Sequence, residues 1–81
     1  MSSIDLEFLI DTIVKSLVDF PDEIVIETVD GESSRIIEIK TNKADTGKVI
    51  GRQGRTADAI RTIVTAASAR ENKRTIVQIV D

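Results

Sequence analysis

Apolar residues recur along this chain with two different periods, and the alternation of those periods predicts its elements. Leu6, Leu9, Ile10, Ile13, Val14 and Leu17 follow the i, i+3, i+4, i+7 spacing of one helix face. They predict a helix over about residues 3–19, with Ser3 as N-cap, Asp5 and Glu7 suited to the positive end of the dipole, and Pro21 as its stop. The β-branched run 24–29 predicts a strand, Asp30-Gly31 a turn, and residues 35–41 a second strand. Ile37, Ile39 and Thr41 fall on one face of that strand, Glu38 and Lys40 on the other. A short helical piece is expected over 44–50, with Asp45 or Asn42 near its start. Gly51-Arg52-Gln53-Gly54 interrupts it, and a longer helix over 55–70 carries Ile60, Ile63, Val64 and Ala67 on one face. Residues 75–80 read as a last strand. The order helix, strand, strand, short helix, glycine loop, helix, strand implies an α+β fold, with helices on one face of a three-stranded sheet. The stretch between the second and third strands is long enough for a parallel crossover.

Composition narrows what such a fold can do. The 81 residues leave room for one domain, 1–81, and a chain this short buries only about 60% of its unfolded surface. With 41% apolar and 31% charged residues it has the balance of a globular domain rather than of a disordered tail. It contains neither cysteine nor histidine. Disulfides, thiolate chemistry, the commonest general base and the commonest metal ligand are therefore excluded, and no cofactor, metal site or catalytic residue is expected. Acids at Asp5, Glu7 and Asp11 break up the apolar residues of the start, so no secretory signal is read there. No stretch approaches the roughly 20 apolar residues of a membrane span, which makes the cytoplasm the expected location. The only aromatic residues, Phe8 and Phe20, are assigned to the core.

The formal charge of −3 argues at first against nucleic acid, but the charge is unevenly spread. Residues 1–39 hold two basic and ten acidic side chains, net −8. Residues 40–61 hold six basic (Lys40, Lys43, Lys48, Arg52, Arg55, Arg61) and two acidic (Asp45, Asp58), net +4. Residues 62–81, with three basic and two acidic, add +1. A positive island thus sits in an acidic protein, although clustering alone is more often the mark of a solvated helix face.

The glycine loop lies inside that island. Two glycines three apart permit a tight reversal through positive φ, leave backbone bare at the tip, and set the unpaired N–H groups of the following helix there. Arg52 and Arg55 flank the point where a phosphate could approach. Taken alone, GxxG also serves as an ordinary turn between helices.

Its setting is more specific. Gly47-Lys48-Val49-Ile50-Gly51-Arg52-Gln53-Gly54-Arg55-Thr56-Ala57-Asp58-Ala59-Ile60-Arg61 resembles the KH signature, in which a Val-Ile pair leads into GxxG and an apolar helix follows. Element order resembles the bacterial, type II form of that fold, and the whole chain resembles the small stand-alone KH proteins of the KhpA family. The resemblance implies a groove for about four nucleotides of single-stranded RNA, its GxxG loop clamping the backbone while bases lie on apolar residues. Gly51 and Gly54 would form the clamp, Arg52 and Gln53 the exposed loop pair, and Lys48 and Arg55 further phosphate contacts. Val49, Ile50 and Ile39 are candidates for the apolar floor and equally for the core. The resemblance further implies an RNA-chaperone-type role and a homodimer, or a heterodimer with a larger KH-containing protein, with neither a membrane nor a small-molecule substrate involved.

Ala57, where KH domains usually place a large aliphatic residue, and Asp58, an acid near the loop, depart from the pattern. They leave room for a protein–protein adaptor that keeps the fold and has lost most RNA binding. A nucleotide-binding enzyme is excluded on spacing. A Walker A loop needs glycine where Val49 stands and lysine where Arg55 stands.

Overall fold

The computed structural model describes residues 6–80, so the N-cap proposed at Ser3 lies outside the described residues. Helix α1 is Leu6–Lys15, strands β1 and β2 are Val25–Asp30 and Ser34–Lys40, helices α2 and α3 are Thr46–Ile50 and Arg55–Ser68, and strand β3 is Arg74–Val80. Short 3-10 turns occupy Pro21–Glu23, Lys43–Asp45, Arg52–Gly54 and Ala69–Glu71.

Helix α1 buries Leu6, Ile10 and Val14, one residue per turn, while Leu9 and Ile13 pack at the margin of the same stripe. It is shorter than its apolar periodicity predicts, and proline does not stop it. The Ser16 N–H is shared between the carbonyls of Thr12 and Ile13, and the Leu17 N–H turns to Val14 at 2.9 Å, so the last turn tightens. The N–H groups of Asp19 and Phe20 then leave the helix for the Asp45 carboxylate. Leu17 consequently drops off the stripe and is exposed, and Val18 packs on the core instead.

The sheet runs in the order β1-β2-β3. β1 pairs antiparallel with β2, with Val25 opposite Lys40 and Asp30 opposite Arg35. β3 pairs parallel with β2, from Ser34 opposite Arg74 to Lys40 opposite Val80. The crossover through α2 and α3 is therefore the expected parallel connection. Alternation along the strands turns Ile37, Ile39 and Val77 toward the helices and leaves Val25, Glu27, Val29 and Ile76 on the open face. Glu27 and Glu38 stand directly opposite each other there, a repulsive pair, and Lys40 relieves it by bonding Glu27 at 2.8 Å.

One core joins the layers: Leu6, Ile10 and Val14 from α1, Ile24, the sheet residues Ile37, Ile39 and Val77, Val49 of α2, and Ile60 and Val64 of α3. It holds no aromatic side chain. Phe8 and Phe20, expected inside, are 69% and 45% exposed, because Phe8 lies off the α1 stripe and Phe20 sits in the loop drawn toward Asp45. Helix α3 likewise turns Ile63 partly to solvent, 45% exposed, and buries Ala57 and Ser68 in line with Ile60 and Val64. The end of the sheet where β2 and β3 begin is closed by charge. Arg35 grips Glu71 through both Nη atoms at 2.8 and 3.0 Å and Asp30 through Nε at 2.9 Å, and Lys73 adds a bond to Asp30.

Candidate nucleic-acid interface

The glycine loop lies between α2 and α3. Helix α2 has only five residues, too few to hold a helix by propensity, so its position depends on what anchors it. Val49 is fully buried. Ahead of the helix the Asn42 side chain accepts the Ala44 N–H at 2.8 Å and so caps the 3-10 turn that leads into it. Thr41 and Thr46 hydroxyls meet at 2.9 Å. Asp45, the other residue expected near the start of this helix, caps nothing there and is instead fully buried. Its Oδ1 accepts the Asp19 N–H at 3.1 Å and its Oδ2 the Phe20 N–H at 2.9 Å, while Lys48 Nζ lies 3.1 Å from Oδ1. Burial pushes this carboxyl up, but the two N–H donors and the ammonium outweigh it and hold its pKa below the ordinary aspartate value. The α1–β1 connection is thereby fastened to the start of α2.

Three of the four loop residues have positive φ: Gly51 at 78°, Gln53 at 57° and Gly54 at 75°. The Gly51 N–H closes α2 on the Gly47 carbonyl at 2.8 Å, and the Gly54 N–H reaches back to Gly51 at 3.1 Å. Glycine is demanded at 51 on two counts. Besides the positive φ, a methyl there would lie 2.7 Å from Thr56 Cβ and 2.9 Å from its backbone nitrogen. A Cβ at Gly54 would meet open space, so only its backbone conformation selects glycine. Helix α3 then starts with no side-chain cap, leaving its first N–H groups and the positive end of its dipole at the loop.

The predicted site residues fall into three groups. Arg52, Gln53 and Arg55 are exposed, and among the described residues neither arginine forms an ion pair. Ile50 is 37% exposed beside them, whereas Val49 and Ile39 belong to the core. Lys48 is near the loop but engaged, its Nζ 2.8 Å from Asp19 Oδ2 as well as bonded to Asp45, and these contacts, the Asp19 bond foremost, raise its pKa. Arg61 is more than a surface charge. Its Nε donates to the Val77 carbonyl at 3.3 Å and so covers a polar group on the free edge of β3. Asp58, Arg61, Thr62, Thr65 and Ala66 line a shallow depression along that side of α3. Asp45, Asp19 and the tie from Arg61 to β3 were not legible in the sequence, because each joins elements far apart in the chain.

A three-stranded sheet covered on one face by helices, with a bare GxxG turn in the parallel crossover, defines a KH domain of the α-β-β-α-α-β type. Residues 7–79 match the family model described as "KhpA/KhpB, KH domain". A protein of Clostridium acetobutylicum named RNA-binding protein KhpA is 56% identical over 72 residues, covering 89% of this chain and 96% of that one. Proteins with the same name from Caldanaerobacter subterraneus and Borreliella burgdorferi are 53% and 48% identical, over 89% and 90% of this chain and 96% and 89% of their own lengths. The chain belongs to the KhpA/KhpB KH-domain family, which is not an enzymatic one. No solved structure gives a significant match. Among the described residues no helix is long and apolar enough to cross a membrane.

Proposed function

We propose that this chain binds single-stranded RNA, with the Gly51–Gly54 turn as the backbone clamp. The observation that carries the reading is the pair of exposed guanidinium groups, Arg52 and Arg55, which have no ion-pair partner among the described residues and are set on bare backbone at the uncapped start of α3. A phosphate drawn to that point meets N–H donors, a helix dipole and two forked cations together. Arg52 and Gln53 form the outward pair, Arg55 and Lys48 extend the phosphate contact, and Ile50 offers an apolar surface to a base with Val49 supporting it from the core. The names of the bacterial relatives point the same way. Two grooves joined in a homodimer, or with a larger KH-containing protein, would raise a modest single-site affinity through avidity. The paired name of the family and the half-exposed Ile63 on α3 support that arrangement. A general RNA-chaperone-type role in the cytoplasm completes the reading.

A second reading, a protein–protein adaptor, draws on Asp58 beside the loop and on the engagement of Lys48 by carboxylates. Fluorescence polarisation with a labelled single-stranded oligoribonucleotide separates the two, comparing the native chain with an Arg52→Asp, Gln53→Asp variant whose fold is checked by circular dichroism. Salt-sensitive binding that disappears in the folded variant is the expected result. Equal binding by both proteins, or none by either, moves the adaptor to the front.

A further inference from the structure

Lys48 stands three residues before the loop, and its ammonium is held by two acids whose roles differ. Asp45 is complete without it, since each of its oxygens already accepts a backbone N–H. Asp19 is different. Its side chain is 70% exposed, and among the described residues the only bond of its carboxylate is to Lys48 Nζ at 2.8 Å. The fold uses the Asp19 backbone, and the carboxylate only occupies the lysine.

An ammonium is a compact point charge that donates to a carboxylate or a phosphate oxygen with little geometric preference. We propose that Asp19 sets RNA affinity, its carboxylate competing with an RNA phosphate for Lys48. This inference rests on the RNA-binding reading above. The exposed pair is weak, so a phosphate can displace the acid. The exchange leaves a trace in the salt dependence. When RNA takes Lys48, the cation released from the phosphate is balanced by one gathered to the freed carboxylate, and the contact adds nothing to the salt slope. In the native chain Arg52 and Arg55 set the slope; removing the Asp19 charge lets Lys48 contribute to it.

The test is polarisation with a labelled uridine oligomer across a salt series, using native protein, Asp19→Asn, Lys48→Gln, the double variant, and Asp22→Asn. Asp22 lies on the same connection and carries the same charge, but forms no ion pair among the described residues. Asp19→Asn is expected to bind a few-fold tighter, up to about fivefold, with a slope steeper by about 0.7. The gain should vanish in the Lys48→Gln background, and Asp22→Asn should show neither change in slope nor dependence on Lys48. Should Lys48→Gln fail to fold, the slope of Asp19→Asn against that of Asp22→Asn decides alone. Identical behaviour of the two aspartate variants, with native binding intact, overturns this proposal only. Absence of binding by the native chain overturns the RNA reading with it.

Discussion

Gly51 and Gly54 look interchangeable in a GxxG pattern, yet their surroundings divide them. Both have positive φ, but only at Gly51 would a side chain collide with Thr56. Gly54→Ala is therefore expected to cost about 1–2 kcal/mol, the strain of a left-handed alanine. Gly51→Ala should cost more, because the start of α3 must shift to relieve the contact. Urea unfolding of the two variants checks this, and equal midpoints would contradict it. The sequence showed that glycine was needed here, since the pattern has a backbone cause. It could not rank the two positions, because the difference lies in where the Thr56 side chain falls. The same limit applies to Phe8 and Phe20. Aromatic character predicted burial, but position off the stripe and a loop drawn toward Asp45 decided their exposure.

Among the elements, the strands and the long helix were legible because each carries its own period, and the observed ends differ from the predicted ones by a residue or two. The apolar spacing overruns the C-terminus of helix α1, since Leu17 keeps the helical period after the backbone has left the helix. The cause is Asp45, 25 and 26 residues away from the N–H groups it accepts. Replacing it with Asn puts an amide hydrogen against one of those donors, so Asp45→Asn is expected to lower the melting temperature by several degrees at neutral pH. The acid limb should change as well. The folded carboxyl titrates below its ordinary value of 3.8, so above that value the native chain has the full contribution, and it loses it as pH falls through the lower, folded pKa. Melting measured from about pH 5 down to about pH 2 should fall less steeply for Asp45→Asn than for the native chain. Glu27, Asp30 and Glu71, each held low foremost by a bond to Lys40 or Arg35, keep some acid sensitivity in both proteins. Parallel curves would remove Asp45 from the account.

Over the whole molecule, a net charge of −3 and a loop whose two arginines form no ion pair among the described residues would make a single groove, on the proposed reading, a weak one. Two neutralised phosphates correspond to a salt slope of about −1.4 on a single strand. If affinity comes from joining grooves, as proposed above, the surface available for joining is limited. The open sheet face mixes Val25, Val29 and Ile76 with Glu27 and Lys40, whereas α3 presents Ile63 without a partner in the core. If pairing uses that helix, a charge at 63 should separate the two components of binding. Ile63→Glu is expected to leave the fold intact, since the residue is half-exposed, and to leave unchanged the affinity for an oligomer that fills one groove. It should abolish the extra affinity for an RNA long enough to span two grooves. Sedimentation of the native and variant chains, run beside polarisation on short and long oligomers, reads both quantities. A variant that loses short-oligomer binding would place Ile63 in the groove itself. One that keeps the long-RNA advantage would move the joining surface off α3.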